Sequence, residues 1–337
     1  MMRDSVVSKT QLGTLLDTVN QLRLSDDDQP KESFLLPETG SWPETKHLME
    51  LRSAEAILAA LASGRPLLVR GEPGVGKSQL ARAAAHLLNR RFIAAVIQPN
   101  TEYEELLWLF DHTQRLADAQ VAGAAKDSSK LKELTEYIAP GPVWFALNWK
   151  TAKAKSCKSN YQPPAGDGQP DPEKSGVVLL IDEIDKADIS VANGLLEVLG
   201  NGGFEVRSTQ ESVTAAESAP KPLVVLTSND TRELPPALVR RCVVLKMTLP
   251  EEREDLLKHL VGVGRTHQPD MHHSVLRDAA EQIANDRQSS HVMPRTGQAE
   301  YLDLLRALAK ISQDKNEQLK WLDTLGQYFH KQSSGSL

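Results

Sequence analysis

Gly71-Glu72-Pro73-Gly74-Val75-Gly76-Lys77-Ser78 is the stretch on which the reading of this chain turns. It follows PLLVR (66–70), a short continuous apolar run, and precedes QLARAAAHLLN (79–89), which has helical spacing. A continuous apolar run is what a parallel strand buried on both faces requires. The glycines let the backbone take turns barred to other residues, so that N–H groups converge on one point. The helix starting near Lys77 adds the positive end of its dipole at that point. Strand, glycine-rich turn and helix N-terminus together make a cradle for phosphate oxygens.

The spacing is that of the P-loop pattern, G-x-x-x-x-G-K-[ST]. In that pattern Lys77 reaches the β- and γ-phosphates of a nucleoside triphosphate, and the Ser78 hydroxyl holds Mg²⁺. The expected nucleotide-binding stretch comprises Gly71, Glu72, Pro73, Gly74, Val75, Gly76, Lys77, Ser78 and Gln79. A second signal is Val177-Val178-Leu179-Leu180-Ile181-Asp182-Glu183, a buried strand delivering two acids at its C-terminal end. Ligands of open α/β sheets bind at that edge. Asp182 is expected to share the Mg²⁺ with Ser78, and Glu183 to polarise the attacking water as general base. Asp185 and Asp188 read as ordinary helix-start acids. No N-K-x-D base-reading motif occurs, and SNDTRE (228–233) does not supply one. ATP rather than GTP is the expected nucleotide.

Working outward, RFIAAVIQP (91–99), GVVLLIDE (176–183), LVVLTSN (223–229) and the shorter CVVLKM (242–247) read as further strands. Strands alternating with helical patterns predict an α/β fold, a doubly wound parallel sheet. Two stretches interrupt the order, at about 101–175 and 201–220. The first contains a Lys-, Pro- and Gly-rich tract, and the second opens on Asn201-Gly202-Gly203, a tight turn into a hairpin. Poor order is expected over 151–175 and 207–220, which hold too little apolar surface to offset ordering entropy. Leu12, Leu15, Leu16, Val19 and Leu22 mark a helix over 8–24, a polar acidic linker follows at 25–33, and a second helix is expected at about 45–63. After Pro250 every pattern is helical. The expected division is an N-terminal helix and linker (1–40), an α/β domain (41–249), a helical domain (250–332) and a disordered tail (333–337).

Composition bounds the rest. The chain has 337 residues, 40% of them hydrophobic, and a formal net charge of −6. That excludes a mostly disordered chain and a chain-wide basic surface, so a nucleic-acid partner is not expected. No stretch approaches ~18 uninterrupted apolar residues, and no membrane span is expected. Cys157 and Cys242 are the two cysteines. They exclude a disulfide framework and point to a reducing, cytoplasmic setting. The nine histidines show no metal-ligand spacing. The aromatics of LLWLF (106–110) and PVWF (142–145) read as core packing.

Several stretches resemble the MoxR-like branch of the AAA+ ATPases. They are GEPGVGKS (71–78), LLWLFDHTQRLADAQ (106–120), YIAPGPVWFALN (137–148), LLIDEIDKAD (179–188), NGLLEVL (193–199) and TSNDTRELPPALVRRC (227–242). The resemblance implies a P-loop NTPase core with a C-terminal all-helical lid. It also implies a ring-forming homo-oligomer, usually a hexamer, with ATP between neighbours. Asn229 matches the sensor-1 position, where an amide orients the lytic water beside Glu183. Arg240 or Arg241 matches the arginine finger that points at the neighbour's γ-phosphate, and Arg241 is preferred because it directly precedes Cys242. Arg295 resembles sensor 2, with Arg287 as the competing residue. The family further implies chaperone-like remodelling of a protein client, or a von Willebrand A-type adaptor supplied in trans. Two other readings stay open: a nucleotide-gated scaffold with little turnover, and a nucleic-acid-associated motor subunit.

Overall fold

The computed structural model describes residues 2–24, 32–125, 131–157, 159, 162–164, 168–289 and 295–329. The chain enters through α1 (Met2–Leu24) and a two-stranded antiparallel pair, β1 (Ser33–Leu36) and β2 (Thr45–Leu48). It continues through α2 (Leu51–Ser63), β3 (Leu67–Gly71), α3 (Lys77–Leu87) and β4 (Arg91–Val96). An insertion follows: α4 (Tyr103–Leu107), β5 (Trp108–Phe110), α5 (His112–Ala125), β6 (Ile138–Pro140), α6 (Pro142–Leu147), α7 (Trp149–Ser156) and α8 (Pro172–Ser175). Then come β7 (Val177–Asp182), α9 (Ile189–Asn201), the hairpin β8 (Gly203–Val206) and β9 (Glu211–Thr214), β10 (Leu223–Ser228), α10 (Pro236–Arg241) and β11 (Val243–Met247). Four helices close the chain: α11 (Arg253–His267), α12 (His273–Ser289), α13 (Gln298–Ile311) and α14 (Lys315–Phe329).

The central sheet has five strands in the order β11-β3-β10-β7-β4. All four pairings are parallel. Alternate residues of β3, β4, β7 and β10 enter different cores, which is why these strands read as unbroken apolar runs, whereas the edge strand β11 fully buries only Leu245. Leu67, Val69, Val178, Leu180 and Val225 pack on one face with Ile57 of α2 and Leu80 and Ala84 of α3. Leu68, Leu179, Ile181, Val224 and Leu226 pack on the other with Trp144, Leu195 and Leu238. The sheet is thus covered by helices on both sides, and the five strands are those read from the sequence.

Two expectations need correction. Residues 45–48 are not helical: they pair with β1, Leu36 opposite Thr45 and Phe34 opposite His47, and α2 begins only at Leu51. Leu48 is spaced from Leu51 as a helix would space it, but the partner that decides the conformation lies in 33–36. Residues 207–220 do not form a loose arm. Val213 of β9 is buried, and Glu211 forms an ion pair of 2.5 Å with Lys155 of α7. The insertion at 101–175 also joins the main core, through Leu106, Ile138, Trp144, Phe145 and Trp149. Residues 25–31 of the linker, 158, 160–161 and 165–167 of the polar tract, and the tail 333–337 lie outside the described residues.

The four C-terminal helices bury their own cluster around Leu260, Leu276, Ile283, Leu304 and Leu305. Val75 of the glycine-rich loop belongs to that cluster. The loop therefore lies between the sheet and these helices. Among the described residues no helix is long and apolar enough to cross a membrane.

Candidate nucleotide site

β3 ends at Gly71, and the loop turns into α3 at Gly76, whose φ of +92° lies where glycine is favoured. No side chain caps α3, so the first-turn N–H groups stay open toward the loop. Burial of Leu80, Ala81, Ala83 and Ala84 fixes the direction in which that helix end points. Gly74 is needed for a different reason: a Cβ there would come within 2.7 Å of the Ala299 Cβ at the start of α13.

Lys77 is only 6% exposed. Its ammonium donates to Gly71 O at 2.8 Å, to Glu72 O at 2.7 Å and to Asn229 Oδ1 at 2.7 Å. Three donors thus have three acceptors. Burial lowers its pKa, against the opposing pull of Asp182, Asp185, Asp230 and Glu183. Ser78 Oγ donates to both carboxylate oxygens of Asp182, each at 2.9 Å. The Thr227 hydroxyl also donates to Asp182, and it accepts from Glu183 N at 2.9 Å. Glu183 sits at φ +62°, a left-handed conformation that non-glycine residues seldom adopt and that recurs at functional sites. One of its oxygens accepts from Asn229 Nδ2 at 3.1 Å, and the other pairs with Lys186 at 2.6 Å.

These contacts follow from strand register. β7 and β10 are adjacent parallel strands with Ile181 opposite Leu226, so Asp182–Glu183 and Thr227–Asn229 leave the sheet side by side. Asp185 holds the β10 end in place. It is 2% exposed and accepts from Asn229 N, from Thr231 N at 3.0 Å and from Thr231 Oγ1 at 2.6 Å. Burial would raise its pKa, but the hydrogen bonds from Thr231 and Asn229 hold it below the ordinary carboxylate value. Asp185 lies in the first turn of the short helix Ile184–Lys186, as the sequence reading has it, and in addition binds the residues that follow β10. Asp188 stands at the N-cap of α9.

A cavity of about 430 Å³ joins these groups. The loop from Pro73 to Gln79, Asp182, Glu183 and Asn229 line it. So do His47 of β2, His259 and His267 of α11, and Leu302 and Arg306 of α13. Burial pushes the pKa of both His47 and His267 down to about 4. Their separation in sequence hid this grouping of imidazoles.

The remaining expected residues lie elsewhere. The Glu72 side chain turns away from the cavity and meets Arg287 of α12. Arg240 and Arg241 are exposed in the last turn of α10, outside the cavity, with Arg65 donating to both their carbonyls. Arg295 precedes α13 and does not line the cavity, whereas Arg306, paired with Asp303 at 3.0 Å, does. Cys242 is buried, its thiol pushed up to about 11, and Cys157 is exposed. The sequence reading gave Thr227, Asp185, Lys186 and Arg306 no place in the site. Thr227, Asp185 and Lys186 lie inside the motif stretches 179–188 and 227–242, whereas Arg306 lies in α13, outside any of them.

Ser78 Oγ and the Asp182 carboxylate are hard oxygen donors that converge in this cavity, which fits Mg²⁺. Among the described residues no group of three or more His, Cys, Asp and Glu side chains is arranged to hold a metal ion.

A family profile described as the AAA domain, dynein-related subfamily, matches residues 66–242. That is more than half of the chain. The chain belongs to the dynein-related AAA family. AAA domains are nucleotide-binding ATPase domains, and the match runs from β3 to Cys242, taking in the loop, the Asp-Glu pair and Asn229. No curated protein matches the chain. Among solved structures, the chain is similar to RuvB of Thermotoga maritima, the Holliday junction branch migration motor, at 15% identity and a TM-score of 0.39, covering 81% of this chain and 67% of that one. A point mutant of the same RuvB gives 16% identity and a TM-score of 0.43, with 81% and 68% covered. A candidate ATPase from Cytophaga hutchinsonii gives 14% identity and a TM-score of 0.38, with 95% and 86% covered.

Proposed function

We propose that this AAA protein is a MoxR-like ATPase. It hydrolyses ATP with Mg²⁺ at the subunit interfaces of a ring, a hexamer, and uses the cycle to remodel or activate a partner protein. Residues 41–249 form the motor and 250–332 the lid. The observation that carries the reading is the convergence of Lys77, Ser78, Asp182, Glu183 and Asn229 on one cavity.

Lys77 moves its donors from backbone carbonyls and Asn229 to the β- and γ-phosphates. Glu183 accepts the proton of the attacking water, and Asn229 orients that water through its amide. Ser78 and Asp182 hold Mg²⁺, which when bound neutralises charge on the phosphate oxygens. Arg241, with Arg240 beside it, serves the neighbouring subunit's site. Its exposure outside its own cavity supports action in trans, where a guanidinium stabilises charge developing in the transition state. The client binds directly or through a von Willebrand A-type adaptor.

Steady-state phosphate release tests the reading. With ATP and Mg²⁺, the wild type turns over and Glu183→Gln is slower by about 10²-fold or more while still binding nucleotide. Equal rates for the two proteins would overturn the mechanism.

A further inference from the structure

Arg287 of α12 and Glu72 of the phosphate loop are 215 residues apart in sequence and meet as a two-pronged pair. Nη1 donates to Oε2 at 2.8 Å and Nη2 to Oε1 at 2.9 Å. The side chains are 6% and 24% exposed, respectively. A planar guanidinium matched to a carboxylate and largely closed off from water fixes orientation as well as distance, unlike a pair on an open surface.

Both ends of the pair are anchored. Arg287 Nη1 also reaches Thr296 O at 3.3 Å, and the fully buried Thr296 donates its hydroxyl to Asp286. On the other side, the Glu72 carbonyl accepts from Lys77 Nζ at 2.7 Å. One residue therefore receives the C-terminal helices through its side chain and the phosphate-binding lysine through its backbone. Val75 and Gly74 give the loop apolar contacts with the same helices.

We infer that Arg287 is a positioning residue for the nucleotide site, acting through Glu72 rather than on the nucleotide. Its guanidinium faces the loop carboxylate and Thr296 O, so it sets the loop from which Lys77 extends. Docking of the C-terminal helices and nucleotide binding then strengthen each other by the same factor, because coupling between two equilibria is reciprocal. The inference rests on the nucleotide-binding reading above and goes beyond it in naming the contact through which the helices act.

The test uses the full chain and a fluorescent ADP analogue with Mg²⁺. Glu72→Gln and Arg287→Gln are each expected to bind about tenfold more weakly than wild type, within the usual range for coupled sites. The double variant should bind no more weakly than either single one, since each change alone already removes the shared contact. Hydrogen exchange supplies a readout that loss of packing would not mimic. In the wild type, ADP should slow exchange in both the loop and α12, and in Glu72→Gln only in the loop. Thermal melts establish that the variants fold, and should Arg287→Gln unfold, the less buried Glu72→Gln decides alone. Wild-type affinity in Glu72→Gln, or singles whose effects multiply in the double, would overturn the inference while leaving nucleotide binding intact. A wild type that does not bind ADP would overturn the nucleotide-binding reading itself, and this inference with it.

Discussion

Lys77 Nζ lies 2.7 Å from Asn229 Oδ1, which ties the phosphate loop to the end of β10. The same amide reaches Glu183 through Nδ2, so one asparagine touches both the loop lysine and the candidate base. Under the proposed function, nucleotide entering the loop would compete for Lys77 and so change what holds Asn229.

Lys77→Ala should therefore do more than remove a charge. We expect nucleotide-dependent hydrolysis to fall by about 10²-fold or more. The acceptors left behind on Gly71, Glu72 and Asn229 should cost about 1–3 kcal/mol of stability. Phosphate release and a denaturant titration measure the two effects. Activity close to wild type would show that the glycine-rich turn is not the phosphate cradle.

Asp185 provides a test of positioning. Asp185→Asn keeps the size but loses the charge that gathers Asn229 N, Thr231 N and Thr231 Oγ1. The expected outcome is a kcat lowered by about tenfold with KM nearly unchanged, the pattern of an interaction that serves the reaction step and not ground-state binding. A raised KM with kcat intact would place Asp185 in binding instead.

The glycine-rich loop and the Asp-Glu pair of this cavity were legible in the sequence because each is built from contiguous residues. Loop, helix start and Asp-Glu pair each carry their geometry within about eight residues, and the inner strands β3, β7 and β10 show as apolar runs because both faces are buried. What the sequence did not disclose depends on contacts across the chain. Thr45–Leu48 becomes a strand through 33–36, and Asp185 is fixed by the turn at 229–231. Glu72 finds its partner in α12, a helix whose place over the loop no local pattern records. Arg306 lines the cavity from α13, with no motif around it to mark it in the sequence.

Acid should destabilise the fold through two buried histidines of the cavity. His47 and His267 titrate at about 4 in the folded chain because they are buried. In the unfolded chain each titrates near its ordinary value of about 6.5. Between those values the unfolded chain binds more protons, so stability falls as pH is lowered below about 6.5, and the loss is complete once pH has passed through about 4. Melting temperature measured from pH 7.5 to 5 should drop less steeply for His47→Asn than for wild type. Parallel slopes would show that His47 is already accessible to protons in the folded chain.

Cooperation between subunits is tested most directly by mixing two inactive variants. Glu183→Gln lacks the base but keeps its arginines, and the double change Arg240→Ala with Arg241→Ala lacks the arginines but keeps its base. In rings assembled from equal amounts of both with ATP and Mg²⁺, some interfaces combine an intact base with an intact arginine. Turnover should recover to about a quarter of the wild-type rate, as expected for random placement around a head-to-tail ring. A mixture no more active than its components, or an arginine double variant as active alone as wild type, would contradict a site completed by the neighbouring subunit.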